Sequence, residues 1–282
     1  MKIYIIIPAH NEADYIGLTL QSLVDQTYPA ERIVVVNDNS SDETPKIVSE
    51  FISKAPSVSM VSITSSEAHL PGSKVIRAFN EGLKTLDEDF DIICKFDADL
   101  IFPSNYLETI VKHFESSQDI GMVGGFCTIP KGDTWALENL TNKDHIRGAL
   151  KAYRKKCFKD IGGLQPSMGW DTADELIAQF KGWQISTDPE ILVKHLKPTG
   201  TTYNKASKHK QGEAFYKLRY GLIITLIASA KLAYLKKDFH LFLDYMAGYF
   251  IAAKQKQDFL LSEEAGKFSR KLRWKKIFQK LF

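Results

Sequence analysis

The chain has 282 residues, 44% of them hydrophobic and 25% charged, with ten prolines, a composition that excludes disordered and fibrous classes. Thirty-seven Lys and Arg against 34 Asp and Glu leave a net charge of +3, too even for nucleic-acid binding driven by charge. Cys94, Cys127 and Cys157 are odd in number and widely spaced, without CxxC or clustered histidines. They indicate neither a disulfide framework nor a zinc site, and a reducing cytoplasm fits them.

The apolar run at residues 3–7 is interrupted by Pro8, His10, Asn11 and Glu12 and is shorter than a secretory core segment. No window reaches the roughly 18 to 20 apolar residues that span a bilayer, residues 220–230 coming nearest. The expected location is cytoplasmic, with any membrane contact peripheral at the inner face.

Short β-branched runs alternate with helical-period segments, which predicts βαβ units and a mostly parallel α/β sheet flanked by helices. Strands are expected over 3–7, 32–36, 58–63, 91–96 and 121–126. Ile47, Val48, Phe51 and Ile52 form one helical face, opened by Thr44-Pro45. Val75, Ile76, Phe79 and Leu83 form another after Gly72-Ser73. A third helix carries Leu107, Ile110, Val111 and Phe114, with Ser104 placed to cap it. From about residue 127 the pattern loosens, leaving elements near 149–158, 173–180 and 191–195. Beyond about 205 the chain becomes helical and basic.

In an open parallel sheet, ligands bind over the carboxyl ends of the strands, so the loops there carry the chemistry. After the first strand comes Pro8-Ala9-His10-Asn11-Glu12, and after the second Asn37-Asp38-Asn39-Ser40-Ser41-Asp42. After the fourth comes Asp97-Ala98-Asp99. Two carboxylates flanking one small residue suit a divalent cation, magnesium or manganese, that would neutralise a diphosphate. Taken alone, the same pair also fits the start of a solvated turn.

These loops in this order resemble family 2 glycosyltransferases of the GT-A fold, over roughly residues 1–200. The family's Pro-x-x-Asn-Glu is matched by Pro8 to Glu12. Its Val-Asp-Asp-Gly-Ser-x-Asp is matched by Val36 to Asp42, with Asn37 and Asn39 in place of Asp and Gly; Asn tolerates the left-handed backbone that Gly provides. The resemblance implies an inverting, metal-dependent transferase that moves a sugar from a nucleotide-diphosphate donor to a glycan or lipid-linked acceptor.

It implies a donor site of Pro8, His10, Glu12, Asp38, Lys74 and Asp97-Ala98-Asp99, with Asp38 on the base, and a metal held by Asp97, Asp99 and His195. Lys74 or Arg77, with Gly72 and Asn80, matches the family's Gly, basic residue and Asn; a solvated helix face accounts for the two cations equally well. Asp171 stands eleven residues before Gly182, as the family's base stands before its helix-ending Gly, with Asp174 in reserve. Asp171 or Thr172 as a helix cap is the plainer reading. Trp170 fits either acceptor stacking or simple packing.

The implied organisation is a catalytic domain over 1–204, with 1–100 for the nucleotide and 101–204 for the acceptor, followed by a helical extension over 205–282. Residues 267–282 hold seven Lys or Arg and no acid, with Trp274, Ile277, Phe278 and Leu281 at helical spacing. That pattern fits a helix on an anionic bilayer or one docked on the domain. The stripes at 220–235 and 241–253 fit core, a homodimer contact or a membrane-resting surface. Two rival classes are a non-catalytic sugar-nucleotide or glycan binder of the same fold and a nucleotidyltransferase. The latter usually has glycine in its first loop, which is lacking here. No GxGxxG follows a strand, which disfavours a dinucleotide-dependent oxidoreductase.

Overall fold

The computed structural model describes residues 1–65, 72–138, 144–197 and 209–281. Four strands run parallel in the spatial order β3 (Val58–Ile63), β2 (Arg32–Asp38), β1 (Ile3–Ala9), β4 (Ile92–Phe96). β1 alternates nothing: Ile3, Tyr4, Ile5, Ile6 and Ile7 are all buried, as expected of a strand covered on both faces. The covering helices include α1 (Ile16–Val24), α2 (Thr44–Lys54) and α3 (Ser73–Leu83). Pro45 lies in the first turn of α2, where its missing N–H costs no bond.

Past β4 the sheet becomes mixed. β8 (Leu150–Arg154) inserts antiparallel between β4 and β6 (Ile120–Lys131), β9 (Gln184–His195) runs parallel to β6, and β5 (Leu100–Ile101) closes the edge antiparallel to β9. A hairpin arm, β7 (Thr134–Leu137), pairs with the end of β6. α4 (Tyr106–Ser116), α5 (Lys155–Asp160) and α6 (Trp170–Phe180) complete this half.

Two details depart from expectation. The N-cap of α4 is Asn105, without a side-chain cap bond; Ser104 instead accepts the Thr27 N–H with its carbonyl, at 2.8 Å. Likewise α6 starts from Gly169 in the left-handed region (φ 82°) with no side-chain cap. Asp171 and Thr172 are therefore in its first turn and do not cap it.

The C-terminal helices are α7 (Lys210–Lys217), α8 (Gly221–Leu235), α9 (His240–Lys254) and α10 (Glu263–Leu281). α7 and α9 cross at glycines: a Cβ on Gly212 would sit 1.7 Å from the Tyr245 carbonyl oxygen, and one on Gly248 would sit 2.0 Å from that of His209. Leu176 and Ala173 of α6 share a second apolar core with Phe215, Leu218, Tyr220 and Leu261, so the extension is seated on the helix that carries Asp171. α10 also docks there. Phe268 meets Phe180 at 5.9 Å between ring centroids, Arg270 Nη1 donates to the Arg219 carbonyl at 2.7 Å, and Arg273 lies 3.8 Å over the Tyr220 ring. Among the described residues no helix is long and apolar enough to cross a membrane.

Candidate active site

The first two loops are knitted together by hydrogen bonds. A His10 ring N–H (Nδ1) donates to the Asp38 carbonyl at 2.6 Å, Ser41 N–H donates to the Asn11 side-chain oxygen at 2.8 Å, and Glu12 N–H donates to Thr44 Oγ1 at 2.8 Å. Asn39 adopts the left-handed conformation (φ 55°), as does Asn11 (φ 54°), so asparagine fills the role that glycine has in the related loop. The Asp38 carboxylate accepts the Ser65 N–H at 3.0 Å and the Ser65 hydroxyl at 2.8 Å.

The Asp97-Ala98-Asp99 turn is pinned from three sides. Asp97 N–H donates to the Ala149 carbonyl at 2.9 Å. Thr19 of α1 donates its hydroxyl to the Ala98 carbonyl at 2.7 Å and accepts the Leu100 N–H at 3.0 Å. Leu100 then pairs with His195 across β5 and β9, and Leu196 N–H donates to the Asp99 carbonyl at 2.9 Å. This register brings His195 Nε2 to 3.4 Å from Asp99 Oδ2, although 96 residues of sequence separate the two. The other imidazole nitrogen, Nδ1, faces Glu138 Oε2 at 3.1 Å, and Glu138 is ion-paired with Arg147.

Two buried oxygens of this cluster have no hydrogen-bond partner among the described residues: Asp99 Oδ1 and Glu12 Oε2. Glu12 Oε1 is paired with Lys197 at 3.1 Å. Burial pushes the Glu12 carboxyl above its ordinary range; Lys197 opposes this, while Asp99 and Asp97 reinforce it. Converging acids with orphaned oxygens are what a bound cation would satisfy. Hard carboxylate oxygens with one imidazole suit magnesium or manganese, and a carboxylate behind the outer ring nitrogen is the usual support of a ligating histidine. Cys127, Glu138 and His195 also have potential ligand atoms within 4.8 Å of one another. That triad is poorly suited to a metal, because burial holds the Cys127 thiol up at about 12 and Glu138 is engaged by Arg147.

Asp97 is ion-paired with Lys95, whose fully buried amine also donates to the Gly148 carbonyl at 2.9 Å. Gly148 in turn abuts α6: a Cβ there would lie 2.7 Å from the Trp170 ring and 3.3 Å from Asp171 Cβ. The carboxylate turn and Asp171 thus flank one backbone segment. Asp171 is about one-third exposed, with Oδ2 at 3.8 Å from His145 Nε2. Burial works against its charge, but His145 and Lys151 prevail and keep its carboxyl below the ordinary value.

Asp174 is in a different setting. It is buried, bonded to Lys151 at 2.9 and 3.0 Å and to the Tyr153 hydroxyl at 2.6 Å. Burial raises its pKa to about 6 against the pull of Lys151, with Glu175 adding to the rise. Lys74 is half-buried in the first turn of α3 and Arg77 is exposed; neither is hydrogen-bonded or ion-paired to the carboxylates above. Asn80 donates to the Leu164 carbonyl at 3.3 Å, tying α3 to the segment before α6.

Sequence reasoning missed Lys95, Glu138, His145, Lys151 and Lys197. The one available signal was a lysine in the middle of each of two strands, Lys95 in β4 and Lys151 in β8.

With this arrangement in view, comparison with known proteins is decisive. Residues 4–167 match the family model described as glycosyl transferase family 2. The chain belongs to this family. It is 42% identical over 200 residues to the probable glycosyltransferase YdaM of Bacillus subtilis (strain 168), an alignment covering 68% of this chain and 46% of that protein. The chain spans about half the length of the curated relatives it matches.

Among solved structures, TarS of S. aureus in complex with UDP-GlcNAc superposes with a TM-score of 0.59 at 18% identity, over 83% of this chain and 67% of that one. The mannosyltransferase PcManGT of Pyrobaculum calidifontis, in complex with GDP-Man and Mn2+, gives 0.60 at 19% identity, over 100% and 81%. These likenesses establish the GT-A fold.

Proposed function

We propose that this glycosyltransferase takes a sugar from a nucleoside-diphosphate donor and passes it, with inversion and with a divalent cation, to a hydroxyl of a glycan or lipid-linked acceptor. The observation that carries this reading is the pair of orphaned buried oxygens on Asp99 and Glu12 beside His195. The solved relatives named above hold UDP-GlcNAc in one case and GDP-Man with Mn2+ in the other, which supports a donor of this class.

Asp97, Asp99 and His195 would hold the cation, with Glu138 fixing the imidazole. A bound divalent ion supplies charge neutralisation for the departing diphosphate. Pro8, His10, Glu12 and Asp38 border the nucleotide loops, and Asp38 would accept from the base once Ser65 yields. Lys197, now held by Glu12, and Lys74 are the cations proposed for the diphosphate and ribose. In the transfer step the acceptor oxygen bonds to the anomeric carbon as the carbon–oxygen bond to the diphosphate breaks. The hydroxyl proton passes to Asp171, which His145 keeps ionised. Asp174 is assigned the interior ion pair. Residues 1–100 would then serve the nucleotide and 101–204 the acceptor, with the enzyme working at the cytoplasmic side of the membrane.

The test is a screen of UDP-, GDP- and dTDP-sugars for nucleotide release with manganese or magnesium, with Asp99→Asn as control. Metal-dependent release that Asp99→Asn abolishes supports the proposal. Donor binding with no release at any metal concentration overturns it in favour of a non-catalytic binder. Release of pyrophosphate from a nucleoside triphosphate overturns it in favour of a nucleotidyltransferase.

A further inference from the structure

α8 is built inside out. Its buried residues are Ile224, Thr225, Ser229 and Ala233, two of them hydroxylic, whereas Leu222, Ile223, Leu226, Ile227, Tyr234 and Leu235 are exposed. These exposed positions form two adjacent rows at four-residue spacing, and a surface helix of a soluble domain ordinarily shows the reverse. α9 repeats the pattern. It buries Tyr245, Gly248 and Ala252 while Leu243, Phe250 and Ile251 remain exposed, with Phe239 at its start.

Charge decides what covers these rows. Residues 209–282 carry fifteen Lys and Arg against six Asp and Glu, while the rest of the chain carries 22 against 28. Exposed Lys231, Lys236 and Lys237 border the rows at the end of α8 beside exposed Asp238, and exposed Lys254 and Lys256 border them at the end of α9 beside exposed Asp258, so each end keeps a net positive charge. In a symmetric contact between two copies, residue i meets residue j of the other copy, so the lysines at one end of the hairpin would face either their own counterparts or those at the other end, and both arrangements are repulsive. An anionic surface attracts them all, and their alkyl stems let apolar rows sink while the ammonium groups stay among headgroups.

Each helix has 15 residues, about 22 Å long at 1.5 Å per residue, short of the roughly 30 Å hydrocarbon core. Helices of this length are too short to cross a bilayer and could only lie along its surface. α10 is not the anchor, since Arg270 and Arg273 are engaged by the protein and Leu272 and Trp274 pack on the second core.

We infer that the α8–α9 hairpin rests its outward apolar rows in the headgroup region of an anionic membrane. The inference does not depend on the transfer chemistry, and its test uses no sugar nucleotide. The full chain is sedimented with vesicles of phosphatidylcholine alone and of phosphatidylcholine with phosphatidylglycerol. Binding should be confined to the second, weaken with added salt, and fall at least about tenfold in the double variant Ile223→Glu, Ile227→Glu, as expected when charge enters a membrane-resting face.

Both side chains are exposed, so the variant should melt with wild type; Leu222→Gln with Leu226→Gln is the milder second pair and should give a smaller loss. Wild type that stays in the supernatant with both vesicles overturns the inference. So does binding that neither double variant reduces. A dimer in solution that the double variant dissolves, without vesicle binding, overturns it in favour of a second copy of the chain.

Discussion

Lys95 and Lys151 stand directly opposite each other on the antiparallel pair β4 and β8, and the Trp170 ring lies 5.5 Å from one ammonium and 5.7 Å from the other. Like charges facing across a strand pair repel. They are tolerated here because each turns to its own carboxylates, Lys95 to Asp97 and Lys151 to Asp174 and Glu175. The result is a charged seam inside the sheet, with the Asp97 turn at one end and α6 at the other.

The two lysines should therefore differ in what their loss costs. Lys151→Met strands two buried carboxylates and should destabilise by about 3–5 kcal/mol, the usual cost of breaking a buried pair. Lys95→Met should cost less, since the side chain of Asp97 is 35% exposed and water can take over part of the pairing. Chemical denaturation of both variants checks the order, and equal losses would contradict it.

Much of the first hundred residues was legible in sequence because local pattern decides it. Apolar runs such as Ile3 to Ile7 admit only a doubly covered strand, and the period of Val75, Ile76, Phe79 and Leu83 admits only a helix packed on one face. α1 escaped notice although Thr19 pins the Asp97–Asp99 turn. Its signal is tertiary, a single hydroxyl bonded 79 residues away. The part of the sheet past β4 is assembled by the antiparallel insertion of β8, and its ion pairs join His145 to Glu175 and Lys151 to Asp174, pairings that no local period encodes. The candidate carboxylates were visible in their motif; the cations that hold them were not.

His145 should impose an alkaline limit. Burial disfavours its charge, but hydrogen bonds to Asp171 and Glu175 outweigh that and raise its pKa from 6.5 to about 9. A raised folded-state pKa gives stability that is fully present below pH 6.5 and is lost as pH rises through about 9. Unfolding free energy of the wild type should fall across that window, and this slope should be absent in His145→Asn. A wild-type stability curve parallel to that of the variant would remove His145 from the account.

Glu138 should matter to metal affinity without touching the substrate. Its carboxylate faces His195 Nδ1 at 3.1 Å, and loss of such a supporting partner typically weakens metal binding by about 10- to 100-fold. Glu138→Gln should shift the manganese dependence of donor turnover to higher concentration, with kcat largely recovered at saturation. Asp99→Asn should not recover at any concentration. Manganese titration monitored by calorimetry in the presence of donor separates the two, and a Glu138→Gln curve that overlays the wild type would show that the imidazole needs no such support.

The two acids of α6 offer the sharpest division. Asp171 is partly exposed, and its neighbours His145 and Lys151 keep it ionised, as a group that receives a proton from a solvent-borne hydroxyl requires. Asp174 is enclosed by Lys151 and Tyr153, so an acceptor could reach it only by breaking that pair. Asp171→Asn should lower kcat by roughly 10²- to 10⁴-fold, the usual worth of a general base, with little change in the melting temperature or donor affinity. Asp174→Asn should do the opposite, lowering the melting temperature because Lys151 loses a charged partner, while the folded fraction turns over at close to the wild-type rate. Activity at a temperature where both variants are fully folded, read beside their thermal unfolding curves, decides the matter: a folded but inactive Asp174→Asn beside an active Asp171→Asn would transfer the base to position 174 and require the α6 ion pair to open during the reaction.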